Sequence, residues 1–388
     1  MARAGFCAEC GRNVWLKLPL CTECENGHPL SALSGFYDAD YEVVVVPGRP
    51  IPDTLGGPFQ PPEGVAEIRV MAAGLSPEWL DYGRQNDPRS LVSLIRDAEG
   101  SQRNRLVASL VARGDAAAAG ALLEVIGNDS HTGWDVPAVY GLAAMGPIVV
   151  PALIVALGRS SDDWAGWRAR DALGWIGAPA VPALWEVIRK SRDDVAKGRA
   201  VEALAYTGLP EVVPGLLELL KAPDDMGAPV YIATSFGEYG LRALINTVAS
   251  PTSAREAYRA LLGLAYLWDQ TGMPGDSRAV SPGFRALFRF ADSGGMRDKL
   301  ARALALYGDR AYAEALAYLP EIAKHANPEY ASRRGLQAND WWIAACLVFV
   351  ALGDEYLQRL FDDTAGSPQF ANVVMAVKAL VPYRSLME

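Results

Sequence analysis

Four cysteines near the start of the chain have the spacing of a metal site. Cys7 and Cys10 form one Cys-x2-Cys pair, and Cys21 and Cys24 form a second pair after ten intervening residues. Each pair can direct two thiolates at one ion, and two pairs complete a tetrahedral sulfur site with Zn–S bonds of about 2.3 Å. A site closed by four protein ligands is structural, because it leaves no open position for a substrate. We therefore predict a structural Zn²⁺ bound by Cys7, Cys10, Cys21 and Cys24.

His28 provides an alternative ligand for this site. Cys24 and His28 are separated by three residues, so Cys7, Cys10, Cys24 and His28 can form a Cys3His site with Cys21 as a spare thiol. The stretch that begins CAECGRNVWL and ends CENGH resembles small bacterial zinc-ribbon heads, in which the closing His looks like a ligand. This chain departs from those heads by having Cys21 as well. The four-Cys set is preferred, and the Cys3His set stays open.

No group of residues in the sequence has the pattern of a catalytic site. The chain has three His residues and contains no Gly-x4-Gly-Lys-Ser/Thr, His-Glu-x2-His or Gly-x-Ser-x-Gly motif. His131 lies near a Ser and an Asp in one loop, but closeness in sequence does not create the geometry of a catalytic triad. Cys346 lies in an apolar run and is interpreted as a core thiol. We predict no catalytic residue, and we predict that the protein is not an enzyme.

Composition excludes some classes of protein. The chain has 388 residues, is 51% hydrophobic, and carries 36 Lys and Arg against 45 Asp and Glu, which gives a net charge of −9. So apolar a chain can bury a large core, which excludes a disordered protein. The acidic balance weighs against nucleic acid as a partner, because neutralising phosphates needs clustered basic residues. No secretory signal pattern is recognised at the start, so a cytoplasmic location is expected.

Proline and glycine divide the chain into a head, a linker and a body. Six Pro and four Gly fall between Val46 and Gly64, a density that disfavours helix interiors. We predict a zinc-ribbon head over 1–46, a linker over 47–74 and a body over 75–388. An uncharged segment at 136–158 is long enough to span a membrane. Three internal Pro residues would break it, so no membrane span is predicted.

The body has an internal repeat that is marked by glycine. Gly114, Gly146, Gly177, Gly208 and Gly237 recur at a step of about 31 residues, a period that is typical of a solenoid. Each Gly is expected to end a first helix in a left-handed conformation. A Pro then opens the second helix of each repeat, where its missing N–H costs nothing.

Acidic and basic residues repeat with the same period. Asp pairs occur at 162–163, 193–194 and 224–225, and Arg168 and Arg199 are also one period apart. An Asp before a helix accepts hydrogen bonds from the first N–H groups, so we interpret the Asp pairs as helix caps. The Arg residues can then pair with the Asp of a neighbouring repeat. A track for cations or a basic partner is the alternative.

The repeated pattern resembles a known family. Gly177-Ala-Pro-Ala-Val-Pro-Ala-Leu184, with a following Asp pair and an Arg in the next helix, resembles the short HEAT-like repeats of bacterial proteins. The similarity is clear from Gly114 to Gly240, and weaker near Gly308 and Gly353. It implies an all-α fold, an α-solenoid of stacked HEAT-like helical pairs, here preceded by a small zinc ribbon. The irregular segment Gly272–Pro282 interrupts the period.

The expected function is that of a non-enzymatic scaffold or adaptor. An unidentified protein or peptide would bind on the solenoid surface, and Trp, Tyr and Arg not needed in the core would act as anchors. Two alternatives follow from the resemblance, because some relatives of short HEAT-like repeats resemble chromophore lyases and others resemble DNA glycosylases. A third is nucleic-acid contact through the zinc ribbon.

Overall fold

The computed structural model describes residues 3–6, 13–16, 61–127, 136–158, 164–223, 226–271, 277–293, 295–334 and 340–387. Strands β1 (Arg3–Phe6) and β2 (Asn13–Leu16) form an antiparallel pair in which Arg3 is opposite Leu16 and Phe6 is opposite Asn13. The described chain divides into two compact units, with the boundary between Leu244 and Ile245. From residue 61 onward, the regular elements of the described ranges are helical, as the sequence predicted.

The described ranges of the first unit, Leu55–Leu244, are mainly helical. Its helices are α1 (Glu63–Ala73), α2 (Pro77–Gln85), α3 (Pro88–Asp97), α4 (Gly100–Arg113), α5 (Ala116–Gly127), α6 (Val136–Met145), α7 (Val150–Leu157), α8 (Trp164–Ile176), α9 (Val181–Lys190), α10 (Asp194–Tyr206), α11 (Val213–Leu219) and α12 (Ala228–Ser235). Short 3-10 helices at Gly146–Val149, Ala178–Ala180 and Pro210–Val212 lead into α7, α9 and α11. Helix α13 (Gly237–Ala249) contains the boundary between the units.

The helices after the boundary belong to the second unit. They are α14 (Ala254–Thr271), α15 (Val280–Arg289), α16 (Gly295–Ala305), α17 (Asp309–Ala317), α18 (Leu319–His325), α19 (Pro328–Arg334), α20 (Trp341–Leu352), α21 (Asp354–Asp363), α22 (Ala371–Leu380) and α23 (Arg384–Met387), with 3-10 helices at Ser277–Ala279, Pro368–Phe370 and Val381–Tyr383. Helix α20 is buried from Trp342 to Val350, and α16, α21 and α22 pack against it. It is the central helix of this unit.

A helix lies within the range that the sequence analysis assigned to the linker. Helix α1 occupies part of the range 47–74 that was assigned to the linker, and the body divides at Leu244. The Pro-rich stretch ends at Pro62, directly before α1, where a missing N–H does not disrupt the helix. Gly64 lies inside α1. The ring of Tyr140 packs so close to it that a larger residue would have no space for its side chain. This close approach is a tertiary contact, and the composition of the linker does not show it.

The period of the sequence corresponds to a repeated core. We call α5, α7, α9 and α11, together with the 3-10 helices that lead into them, the second helices. Their equivalent positions are buried once per repeat, in three rows: Ala118, Val149, Ala180 and Val212; Leu122, Leu153, Leu184 and Leu216; and Ile126, Leu157, Ile188 and Leu220. Each row continues from one repeat to the next, so the apolar face of each helix pair is covered by its neighbours.

The repeated glycines end the first helices in the predicted conformation. Their φ angles are positive and lie between 53° and 76° at Gly114, Gly146, Gly177, Gly208 and Gly237. Gly308 and Gly353, where the period is weaker, also have positive φ angles. Residues with a Cβ rarely adopt this region, so the chain reverses there at little cost only because the side chain is absent.

The uncharged segment of the first unit forms two helices. Val136–Leu157, 22 residues, has the length and composition to cross a membrane. In the structure it is divided at Gly146, where φ is 70°, into α6 and α7. Both helices pack against α8 and bury part of their apolar surface. Two helices packed in this way are typical of a repeat in a helical array. Apolar residues of the segment therefore contribute to the core of the first unit.

Candidate functional site

The second helices also share a set of exposed positions. Three rows with the same spacing as the buried rows face solvent: Ala117, Ile148, Pro179 and Glu211; Gly120, Pro151, Pro182 and Pro214; and Glu124, Val155, Glu186 and Glu218. We call these twelve residues the second-helix surface. Because the buried rows lie on the opposite face of the same helices, the exposed rows extend across four successive repeats.

Contacts between the second helices keep this surface continuous. Helix α5 packs against the turn that precedes α7, and α7 packs against α9. Between α9 and α11, the ring of Trp185 lies directly on Gly215, where a Cβ would collide with it. The second of the exposed rows, Gly120, Pro151, Pro182 and Pro214, is mainly proline. Proline is tolerated there because residues in the first turn of a helix donate no intrahelical N–H bond. The exposed rows therefore belong to one connected layer.

The charge on this surface is unevenly distributed. Glu186 pairs with Lys190 at 2.6 Å and Glu218 pairs with Lys221 at 2.8 Å, both within one helical turn and exposed to solvent. The Lys190 ammonium lowers the pKa of Glu186, which keeps this carboxylate ionised. Val155, in the same row, is 78% exposed and has no charge. The surface thus has an apolar position between acidic ones.

Two repeated arginines connect each first helix to the preceding second helix. Arg168 in α8 donates from Nη1 to the carbonyl of Ile126 at 3.2 Å, and Arg199 in α10 donates from Nη1 to the carbonyl of Leu157 at 2.8 Å. Both carbonyls lie in the last turn of a second helix, where backbone acceptors lack helical partners and a cation is favourable. These two bonds are made to backbone carbonyls, and the Asp partners that the sequence predicted for these arginines stay a prediction.

A buried group of charges lies between α8 and α10. Arg170 is only 1% exposed and occupies the position of Val139 and Val201 in the neighbouring repeats. Its guanidinium lies 2.5 Å from Asp171 and 2.6 Å from Glu202. Tyr206, in the last turn of α10, donates a hydrogen bond to Glu202 at 3.2 Å. We call Arg170, Asp171, Glu202 and Tyr206 the buried ionic cluster.

Burial shifts pKa values within this cluster. Burial raises the pKa of Asp171 to about 6, and the neighbouring Arg170 only partly offsets this effect. Burial, together with the nearby Glu202 carboxylate, raises the pKa of Tyr206 well above its ordinary value. Perturbed groups of this kind are candidates for catalysis when they line a cleft. Here Arg170 and Glu202 are 1% and 3% exposed, so the cluster connects two helices within the core.

The aromatic side chains of the repeats mostly support the packing. The ring of Trp167 has Arg170 at 4.8 Å and Arg199 at 5.0 Å from its centroid, within cation–π range. Tyr140 and Trp175 are in ring contact at 5.5 Å. Among the repeat aromatics whose side chains the structure describes, Tyr239 is the exposed one. Others, among them Trp164, Trp175 and Trp185, are half-buried, and the expected role of the aromatics as partner anchors stays a prediction.

All of the predicted metal ligands lie outside the described residues. These are Cys7, Cys10, Cys21, Cys24 and the alternative ligand His28, and His131 is outside as well. Strand β1 ends at Phe6, before Cys7, and β2 begins at Asn13, after Cys10. In the described ranges, no cluster of three or more His, Cys, Asp or Glu could hold a metal ion.

The remaining candidates have structural surroundings. Asp193 accepts hydrogen bonds from the N–H groups of Val195 and Ala196, so it caps α10 as predicted. Asp115 caps α5 in the same way through Ala118 N at 2.8 Å. The Asp pairs at 162–163 and 224–225 are outside the described residues. Cys346 is fully buried, and burial raises the pKa of its thiol to about 12.

Sequence reasoning did not find the second-helix surface or the buried ionic cluster. When the first helices are aligned by one repeat, Arg170 is equivalent to Val139 and Val201. A charged residue at an otherwise apolar position was the signal that could have indicated the buried ionic cluster. The exposed rows could be identified only once the burial of each position was known. Two open depressions of about 360 and 420 Å³ lie in the second unit, beside Phe361 and Glu314 respectively.

Comparison with known proteins agrees with the repeat geometry. A family model described as HEAT repeats matches residues 135–205. The match begins just before α6 and ends within α10. No curated protein matches the chain. The chain therefore contains HEAT-like helical repeats in this region.

Proposed function

We propose that the protein is a non-enzymatic scaffold or adaptor that binds a protein partner through the second-helix surface. The observation that carries the proposal is the register of the three exposed rows across α5, α7, α9 and α11. Such rows present a continuous surface on a layer whose helices are joined to one another. Repeat arrays provide extended binding surfaces of this kind.

The supporting contacts favour binding over chemistry. Arg168 and Arg199 hold each second helix to the following repeat, and the buried ionic cluster holds α8 to α10. A surface whose backbone is held in place loses little conformational entropy when a partner binds. In the exposed row Ala117, Ile148, Pro179 and Glu211 the side chain differs in every repeat, whereas the buried rows contain only Ala, Val, Leu and Ile. Variation at exposed positions on a constant core is suited to recognition.

A structural Zn²⁺ in the head is a separate proposal. The ligands would be Cys7, Cys10, Cys21 and Cys24, with His28 as the alternative to Cys21. The spacing supports it, and so do β1 and β2, which flank the first Cys pair in the chain as the strands of a zinc knuckle would. Zinc retained in Cys21→Ser but lost in His28→Ala would select the Cys3His set. Freshly purified protein without zinc would refute the proposal.

Affinity capture from native lysate tests the scaffold proposal. The full chain is compared with a variant that carries Ile148→Glu, Pro179→Ser and Glu211→Lys on the second-helix surface. A control variant carries Val70→Glu, which changes a 73% exposed residue of α1 outside this surface. We expect proteins that are captured by the wild type and the control but lost from the triple variant. Identical captured sets, or a shift of labelled duplex DNA at physiological salt, would contradict the proposal.

A further inference from the structure

One exposed row of the second-helix surface contains Glu124, Val155, Glu186 and Glu218. The apolar Val155 among these glutamates suggests the chemistry of the partner. We propose that Ile148, Pro151 and Val155 bind the apolar side chains of an amphipathic helical segment, whose Lys or Arg residues on both sides meet the Glu124 and Glu186 carboxylates. This inference rests on the proposed function, because it specifies the occupant of the same surface.

Val155 is unusual for its position in the repeat. The equivalent residues one repeat before, one after and two after are Glu124, Glu186 and Glu218, and all are exposed. The fold therefore accepts a charged side chain at this position in three other repeats. Val155 is nevertheless 78% exposed, and Ile148 in the neighbouring row is 53% exposed. An exposed apolar group of this kind contributes nothing to the core, and contiguous groups mark contact sites.

The apolar residues share one helix face, and the equivalent position on each neighbouring second helix carries a carboxylate. Ile148, Pro151 and Val155 follow the i, i+3, i+7 spacing of one helix face, and the run Val136–Leu157 carries no charged residue. Glu124 on α5 and Glu186 on α9 occupy the equivalent position on the two neighbouring second helices. A partner that covers this face therefore extends toward a carboxylate on each side.

Charge complementarity selects a basic partner. The first unit as a whole is acidic, with 17 Lys and Arg against 23 Asp and Glu. The pair between Glu186 and Lys190 is exposed, and exposed pairs contribute little, so a partner's cation can compete for the carboxylate. The same carboxylates would repel the anionic headgroups of a lipid surface. A basic peptide segment is thus preferred over a membrane.

The spacing of the helices sets the length of the segment. Neighbouring packed helices lie about 8–10 Å apart, so the two carboxylates that flank α7 are separated by about 16–20 Å. A helix rises about 1.5 Å per residue, so its basic residues should be about 11–13 residues apart, with apolar residues between them. This distance is a specific expectation for the sequence of the partner.

Peptide selection tests the chemistry directly. Phage-displayed random peptides of about 16 residues, long enough for this span, are selected on the immobilised full chain. Val155→Glu is the test variant, and it should fold normally because Glu occupies the equivalent exposed positions. Val70→Glu is the matched control, since Val70 is a similarly exposed valine on α1. Circular dichroism verifies the fold of both variants.

We expect selected peptides with central apolar residues at helical spacing and Lys or Arg at both ends. Their affinity should fall about tenfold or more in Val155→Glu, as for a central contact residue, and stay unchanged in Val70→Glu. Acidic peptides, peptides that bind Val155→Glu equally well, or no enriched peptide would overturn the inference. So would Val155-dependent binding to phosphatidylcholine vesicles that contain phosphatidylserine, without peptide binding. Partners captured independently of Val155 would overturn the inference while leaving the scaffold proposal intact.

Discussion

Replacing Arg170 by methionine should destabilise the first unit strongly. The guanidinium is buried and contacts two carboxylates, at 2.5 Å from Asp171 and 2.6 Å from Glu202. It also lies 4.8 Å from the centroid of Trp167 and 5.0 Å from that of Tyr206. Methionine preserves most of the apolar length of the side chain and removes the charge. The two carboxylates would then remain in the core without their shared cation.

The cost should be about 3–5 kcal/mol in the free energy of unfolding, the range for breaking a buried ion pair on one side. Adding Glu202→Gln to Arg170→Met should recover part of this loss, because one uncompensated charge is removed. Arg189→Met provides a control, because Arg189 is exposed in the last turn of α9. That change should stay within about 0.5 kcal/mol of the wild type.

The loss of stability should depend on pH with a definite sign. Burial already raises the pKa of Asp171 to about 6 from 3.8, so its ionisation opposes folding. The stability that its neutral form contributes is complete below the unfolded pKa and is lost as the pH rises through the folded pKa. Removing Arg170, which favours the ionised form, raises this pKa further. The deficit of the variant should therefore be smaller near pH 5 than near pH 7.5.

Urea unfolding of the full chain, followed by far-UV circular dichroism at both pH values, measures these changes. Amide hydrogen exchange verifies that the affected protons lie in α8 and α10. Wild-type stability in Arg170→Met would refute the structural role of the cluster. A deficit that grows at low pH would refute the assignment of buried, uncompensated carboxylates.

Four further changes have definite expected outcomes. Gly177→Ala should lower the free energy of unfolding by about 1–3 kcal/mol. The backbone at Gly177 has φ 76° and ψ −137°, and a Cβ there would contact nothing within 4 Å, so the cost would come from backbone strain alone. Gly198→Ala inside α10 also meets open space and should raise stability by up to about 1 kcal/mol. Thermal unfolding distinguishes these opposite signs. Gly166→Ala should lower the melting temperature, because its Cβ would collide with the guanidinium of Arg199, and Arg199→Met added to it should cause little further loss. Cys346 should resist iodoacetamide in the native chain and react after denaturation, because burial raises the pKa of its thiol to about 12; rapid native labelling would contradict this.

Much of the repeat fold was predictable from particular residues. The repeated glycines predicted where first helices end, and positive φ angles are found at Gly114, Gly146, Gly177, Gly208 and Gly237. Asp193 caps α10 as its position before a helix predicted. These features depend on one residue and its immediate backbone. Local rules are sufficient for them, because the left-handed region and the free N–H groups exist wherever the helix is placed.

Other features depended on neighbouring repeats. The Pro-rich stretch suggested a linker up to residue 74, but α1 begins at Glu63, where Gly64 allows the ring of Tyr140 to approach. The carbonyl partners of Arg168 and Arg199 lie 42 residues away in sequence. A one-dimensional pattern cannot show which carbonyls are left without partners, because that depends on how the preceding repeat ends.

The sequence by itself determined the period, the helix ends, the Cys spacing of the head and the all-helical character of the body. Only the tertiary structure decided which positions of each repeat are exposed, and so placed Val155 in a row of glutamates and Arg170 in a row of valines. The physical reason is that periodicity sets which residues are equivalent, whereas burial depends on the helices stacked on either side. The alignment of the repeats marked Arg170 as different from its equivalents, but that stacking established its burial and the exposure of Val155.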